Sequence, residues 1–91
     1  MPMSRPGAPL PRVTLYSRPN CHLCDEARAV ILALRDKGSG FELDEIDIDS
    51  DDELLASYLE RIPVVEVEGE IVSELVLDAD ALRARLDTVR A

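Results

Sequence analysis

Val13-Thr14-Leu15-Tyr16-Ser17-Arg18-Pro19-Asn20-Cys21-His22-Leu23-Cys24-Asp25-Glu26-Ala27 is the stretch on which the reading of this chain turns. Val13 to Tyr16 are β-formers and predict a short buried strand. Ser17-Arg18-Pro19-Asn20 places Pro and Asn where a turn wants them. Beyond the turn, Leu23, Ala27, Val30, Ile31 and Leu34 recur at spacings of four, three, one and three, which is one apolar stripe on a helix. Asp25 and Glu26 fall in its first turn, where the helix dipole favours acids. Gly38 is a natural C-terminal stop, followed by a Ser39-Gly40 loop.

The two cysteines therefore stand where strand gives way to helix. A free thiol titrates near pH ~8.5 and attacks slowly at neutral pH. The first turn of a helix offers unpaired N–H groups and partial positive charge, and both stabilise a thiolate. Cys21, at or just before that turn, is the expected nucleophile. Cys24, three residues on and facing the same side, is the expected resolving thiol. Arg18 is a candidate helper because it is cationic and close in sequence; it reads equally well as a solvated turn residue. His22 would tune Cys21 if protonated, and its plainer reading is an exposed polar residue.

No cofactor is expected. A closed zinc site needs about four ligands, whereas this chain offers two Cys and one His. A metal or iron–sulfur module, completed by carboxylates or a second chain, stays open as another reading. A third is an interaction module that keeps the fold without the redox chemistry.

Working outward, Phe41, Leu43, Ile46 and Ile48 predict a strand over 41–48, with a bulge near Asp44-Glu45 where the alternation slips. Ser50 and Glu53 match a capping box for a short helix carrying Leu54, Leu55, Tyr58 and Leu59, ended by Arg61-Ile62-Pro63. Val64 to Val67 predicts a strand, Glu68-Gly69 a two-residue hairpin, and Ile71 to Leu75 the return strand. Asp78 is placed to cap a last helix with Leu82, Leu86 and Val89 on one face. The order is βαβαββα. A strand–helix–strand opening implies a parallel, right-handed crossover, and the later hairpin adds antiparallel strands. The expected class is α/β, a mixed four-stranded sheet flanked by helices. Residues 1–11, with Pro2, Pro6, Pro9 and Pro11, read as a flexible tail, leaving 12–91 as the domain.

Composition narrows the partners. At 91 residues this is one small domain, and with 3% aromatics its core must come from Leu, Val, Ile and Ala. The formal net charge of -9 argues against nucleic acid and against anionic membranes, and it would welcome a basic protein partner. Solubility alone also explains such an acid excess. No run approaches the ~20 apolar residues that span a bilayer, and Met1 to Pro11 lacks the apolar centre of a secretory signal. A cytoplasmic monomer is expected, in a compartment where two Cys are more often catalytic or metal-binding than structural.

With a strand, Arg18-x-x-Cys21-x-x-Cys24, a helix, and Ile62-Pro63 before a strand, the chain resembles the glutaredoxin family of the thioredoxin fold over roughly residues 12–88. The resemblance implies a dithiol–disulfide oxidoreductase acting on a disulfide-containing protein or a small thiol compound. It implies a cis Ile62–Pro63 bond facing Cys21, with Arg18, Ile62 and Pro63 contacting substrate. It also has departures. His22 and Leu23 stand where glutaredoxins commonly carry Pro and an aromatic; Arg61-Ile62-Pro63 replaces Thr-Val-Pro; Ser73-Glu74 aligns with the Gly-Gly pair that receives glutathione. Glutathione is therefore not carried over as a partner, since Glu74 would repel an anionic tripeptide.

Overall fold

A computed structural model describes residues 10–38 and 40–90, the side chain of Arg90 excepted. Residues 1–9 of the expected 1–11 tail, the loop position Ser39 and Ala91 lie outside the described residues. The elements run β1 (Arg12–Ser17), α1 (His22–Asp36), β2 (Glu42–Asp47), a 3₁₀ turn (Ile48–Ser50), α2 (Asp52–Tyr58), β3 (Val64–Val67), β4 (Glu70–Glu74) and α3 (Ala79–Arg90). The four strands form one mixed sheet in the order β2-β1-β3-β4. β1 and β2 are parallel, while β1–β3 and β3–β4 are antiparallel. Among the described residues no helix is long and apolar enough to cross a membrane.

The pleat sorts the side chains. Val13 and Leu15 share a sheet face with Val65 and Val67, and this face packs on Ala27, Ile31 and Leu34 of α1 and on Leu82 and Leu86 of α3. All but Ala27 and Leu34 of these are wholly buried. Phe41 joins the same cluster. The opposite face is more thinly covered. α2 has no fully buried residue, and it is held to β1 by the Tyr16 and Tyr58 rings, whose centroids lie 4.7 Å apart.

Three expectations need correction. β2 has no bulge at Asp44-Glu45, because its register with β1 runs unbroken from Arg12↔Glu42 to Ser17↔Asp47. Leu43 and Ile46 are half-buried on opposite sides of the sheet, and Ile48 belongs to the 3₁₀ turn, so the slip in alternation reflects partial cover on both faces. The register shift lies instead between β3 and β4, at Val65/Glu66. The cap of α2 is Asp51 rather than Ser50: its carboxylate accepts the Glu53 and Leu54 amides at 2.8 and 3.2 Å. An ionised acceptor at the positive end of a helix outcompetes a hydroxyl, and the Ser50 hydroxyl donates to the Asp47 carbonyl at 2.6 Å. Finally, β4 ends at Glu74; Leu75 has φ 68° and lies outside the strand.

The remaining local signals hold. The hairpin turn uses positive φ at both Glu68 (51°) and Gly69 (84°), the handedness that matches strand twist. Asp78 accepts the Ala81 amide at 3.0 Å at the start of α3. Replacing Leu82 by Ala is expected to cost about 2–5 kcal/mol. Asp51→Ala should cost about 1 kcal/mol and Ser50→Ala clearly less. Urea unfolding midpoints of the three variants check this ordering.

Candidate active site

One end of the sheet collects the connections that matter. β1 and β2 both end there, and the antiparallel register brings Val64 beside Tyr16 and Glu74 beside Val64. The loop after β1, the residues before β3 and the residues after β4 therefore converge. Crevices at the carboxyl ends of parallel strands are habitual ligand sites.

Cys21 is the N-cap of α1, with extended backbone angles of φ -105° and ψ 106°. Its Sγ accepts the backbone N–H of Cys24 at 3.1 Å, as a capping oxygen would. Cys21 is partly exposed, while Cys24 is wholly buried behind it. The two sulfurs are joined in a disulfide with the Cα atoms 5.2 Å apart. The apolar stripe of α1 seats the helix on the sheet, and that seating fixes the direction in which its first amides point.

The flanking charges are paired. Arg28 grips both carboxylate oxygens of Glu45, one of them through Nε at 2.7 Å, and also bonds Asp25 at 2.9 Å. Glu45 further accepts the Ser17 hydroxyl at 2.9 Å. Arg28, then Ser17, hold the Glu45 carboxyl below its ordinary range against the opposing effect of burial. This cluster ties the second turn of α1 to the edge strand and to the last residue of β1. His22 is exposed and contacts Glu26 at 2.8 Å, in keeping with its plainer reading.

The predicted site residues are only partly gathered. Arg18 pairs with Asp49 at 3.2 Å and lines a polar cleft of about 420 Å³ with Asn20, Arg28 and Asp47. The Ile62–Pro63 bond is cis, and Pro63 is buried at the head of β3. The Ile62 amide donates to the Tyr58 carbonyl at 3.1 Å. Glu74 does not stand as a lone carboxylate, for Arg61 pairs with it. Hydrogen bonding from Arg61 lowers the Glu74 pKa, and Arg61 lies 5.1 Å over the Tyr58 ring. Among the described residues no group of three or more His, Cys, Asp or Glu could hold a metal ion.

Sequence reasoning missed two features at this end. The ion pair of Arg61 and Glu74 links residues 13 apart, and only the register of β4 on β3 joins them. Leu75 and Val76 are exposed at 49% and 70%. The uninterrupted apolar run Leu75-Val76-Leu77 before the cap Asp78 was the available signal.

Comparison with known proteins agrees with this geometry. The family model described as glutaredoxin-like domain (DUF836) matches residues 12–87. The solution NMR structure of protein Ne2328 from Nitrosomonas europaea is 34% identical, with a TM-score of 0.74, covering 91% of this chain and 98% of that one. The X-ray structure of protein XcR50 from X. campestris is 36% identical, with a TM-score of 0.68, covering 84% of this chain and 96% of that one. A mutant thioredoxin from Halobacterium salinarum shares the fold at 22% identity and a TM-score of 0.63, covering 88% of this chain and 74% of that one. No curated protein matches the chain significantly.

The Glu45 cluster makes a pH prediction. A carboxyl whose pKa is depressed by folding adds stability that is present above its unfolded value, 4.5, and lost as pH falls through the folded value. Glu45→Gln should therefore be less stable than the parent near neutrality, and the gap should narrow as the solution is acidified to about pH 3. Urea midpoints at the two pH values measure it.

Proposed function

Because this chain belongs to the glutaredoxin-like domain family, we propose that it is a thiol–disulfide oxidoreductase in which Cys21 attacks and Cys24 resolves. The observation that carries the reading is the Cys24 amide aimed at Cys21 Sγ at the start of α1. In the reduced protein the same N–H faces a thiolate, adds a hydrogen bond to it and supplements the field of the helix N-terminus. Both effects favour the anion over the thiol.

The exchange balances in two steps. The Cys21 thiolate attacks one sulfur of a substrate disulfide; a new S–S bond forms, the substrate bond breaks, and the leaving sulfur departs as a thiolate that takes up a proton. The Cys24 thiol then loses its proton and attacks Cys21 Sγ. The mixed disulfide breaks, the second substrate sulfur leaves as a thiolate, and the Cys21–Cys24 disulfide forms. The substrate gains two electrons and two protons, which a dithiol or two monothiols must return to the chain. Burial of Cys24 behind a partly exposed Cys21 suits this division of labour, since a substrate disulfide meets Cys21 first.

The polar groups assigned to substrate contact act within stated bounds. The Ile62 amide would have to exchange its bond to Tyr58 before pairing with an extended substrate. Arg18 lies beside the loop that leads to Cys21, with Asp49 as its present partner. Glutathione is not assigned as reductant, because Arg61 and Glu74 already satisfy one another where a tripeptide carboxylate would need a free cation. The protein is read as acting in the cytoplasm as a monomer.

Cys24→Ser, offered an oxidised disulfide peptide, should stall as a mixed disulfide visible as a mass increase, and Cys21→Ser should form none. Thiolate absorbance of reduced Cys24→Ser should place the Cys21 titration below the free value of about 8.5. An unshifted Cys21, together with no reduction of any disulfide by the parent protein, would overturn the proposal.

A further inference from the structure

The first turn of α1 contains a conflict. The helix dipole favours an acid there, yet the same positive end must stabilise the Cys21 thiolate on which the oxidoreductase reading depends. Asp25 occupies that turn. Its amide donates to the Cys21 carbonyl at 3.1 Å, which puts Asp25 one helical turn after Cys21 and on the same face. Helical side chains lean toward the N-terminus, so the Asp25 carboxylate is carried toward the cysteine. A like charge nearby disfavours a thiolate.

Arg28 resolves the conflict. It follows Asp25 by three residues and Cys21 by seven, on that same face of α1. Its Nη1 donates to Asp25 Oδ1 at 2.9 Å. Its Nε and Nη2 bind the two carboxylate oxygens of Glu45, the first at 2.7 Å. The Arg28 and Glu45 side chains are 35% and 33% exposed, against 66% for Asp25. The bidentate grip on Glu45 is thus the sheltered anchor, and the contact to Asp25 is the arm that reaches toward the cysteine end. The Ser17 hydroxyl fixes Glu45 from β1 at 2.9 Å. An ion pair to so exposed a carboxylate contributes little stability, so its main consequence is the charge it cancels.

The other charged groups at this end are answered separately. Glu26 contacts His22 on α1. Arg18 of the loop pairs with Asp49 of the 3₁₀ turn, and the Asp47 carboxylate at the end of β2 accepts the Asp49 amide at 2.8 Å. Arg61, ahead of β3, pairs with Glu74 of β4. We propose that Arg28 is a positioning residue for the dithiol: from its anchor on Glu45 it cancels the Asp25 charge beside Cys21 and so keeps the Cys21 thiolate populated near neutral pH. This rests on the oxidoreductase reading and adds to it a residue outside the Cys-x-x-Cys segment.

The test compares Arg28→Met, Arg28→Lys, Asp25→Asn and the double variant of Asp25→Asn with Arg28→Met, each in the reduced full chain carrying Cys24→Ser. Thiolate absorbance against pH reads the Cys21 titration, and iodoacetamide alkylation at about pH 6 reads the thiolate fraction. Arg28→Met should move the titration upward and slow alkylation about threefold, whereas Asp25→Asn should move it downward and speed alkylation about twofold. The double variant should return close to the parent although the ion pair is gone. Arg28→Lys keeps the charge without the fork and should stay within about twofold of the parent. The displacement caused by Arg28→Met should shrink as salt is raised. Asp25→Asn leaves the grip on Glu45 intact, so its downward shift tests the charge even if Arg28→Met unfolds. Shifts of one sign in both single variants, with no return in the double, mark a structural role and overturn the proposal. So does a titration that Arg28→Met and Asp25→Asn leave unmoved while Cys21 of the parent stays below the free value. A parent Cys21 that titrates at the free value, with no disulfide reduced, removes the oxidoreductase reading itself.

Discussion

An amide hydrogen aimed at a sulfur organises this molecule. The Cys24 N–H reaches Cys21 Sγ at 3.1 Å only because Cys21 caps α1 in an extended conformation while Cys24 is already helical. That geometry depends on where α1 sits. Ala27, Ile31 and Leu34 bury the helix against Val13, Leu15, Val65 and Val67, so the hydrophobic packing that stabilises the domain also aims its cysteine-bearing end. A helix shifted along the sheet would carry its cap sulfur away from the convergence of loops at the strand ends. Packing and chemistry are thus one constraint rather than two.

Electrostatics reinforces the same seating. The chain is acid-rich, with a net charge of -9, and Asp25 lies in the first turn of α1, close to the cysteine pair. Arg28 meets it there and simultaneously clamps Glu45 on the edge strand. Arg61 and Glu74 compose a second pair on the other side of the site, stacked against Tyr58. Exposed pairs of this kind contribute little stability each. Their larger effect is local: they cancel charges that would otherwise shape the field around the sulfurs.

The apolar edge completes the arrangement. Polar groups near the cysteines are largely engaged with one another, whereas Leu23, Leu75 and Val76 remain exposed beside them. The membership shown by residues 12–87 accounts for the fold. It does not account for a leucine held at positive φ after β4. That residue is bonded to the backbone on either side of Ile62, so the loop after β4 is tied to the residues that lead into β3.

Much of this was legible in the residues because the signals are local. The stripe of α1, the positive-φ hairpin at Glu68-Gly69 and the Asp78 cap each depend on neighbours within a few positions, and the structure has them where the pattern puts them. The order βαβαββα and the position of Cys21 at a helix start follow from the same short-range rules. Other features depend on register and on which face a strand turns inward. The clean pairing of β2, the shift between β3 and β4, the union of Ser17 with Glu45 and of Arg61 with Glu74, and the display of Leu75 and Val76 all join residues that no local rule relates. Sequence by itself determined the elements and the place of the cysteine pair at a helix start, because hydrogen bonds and apolar period act over a turn or two. Tertiary structure alone decided which charges cancel and which apolar side chains stay uncovered, because those outcomes are set by distances between elements that exist only once the sheet has closed against its helices.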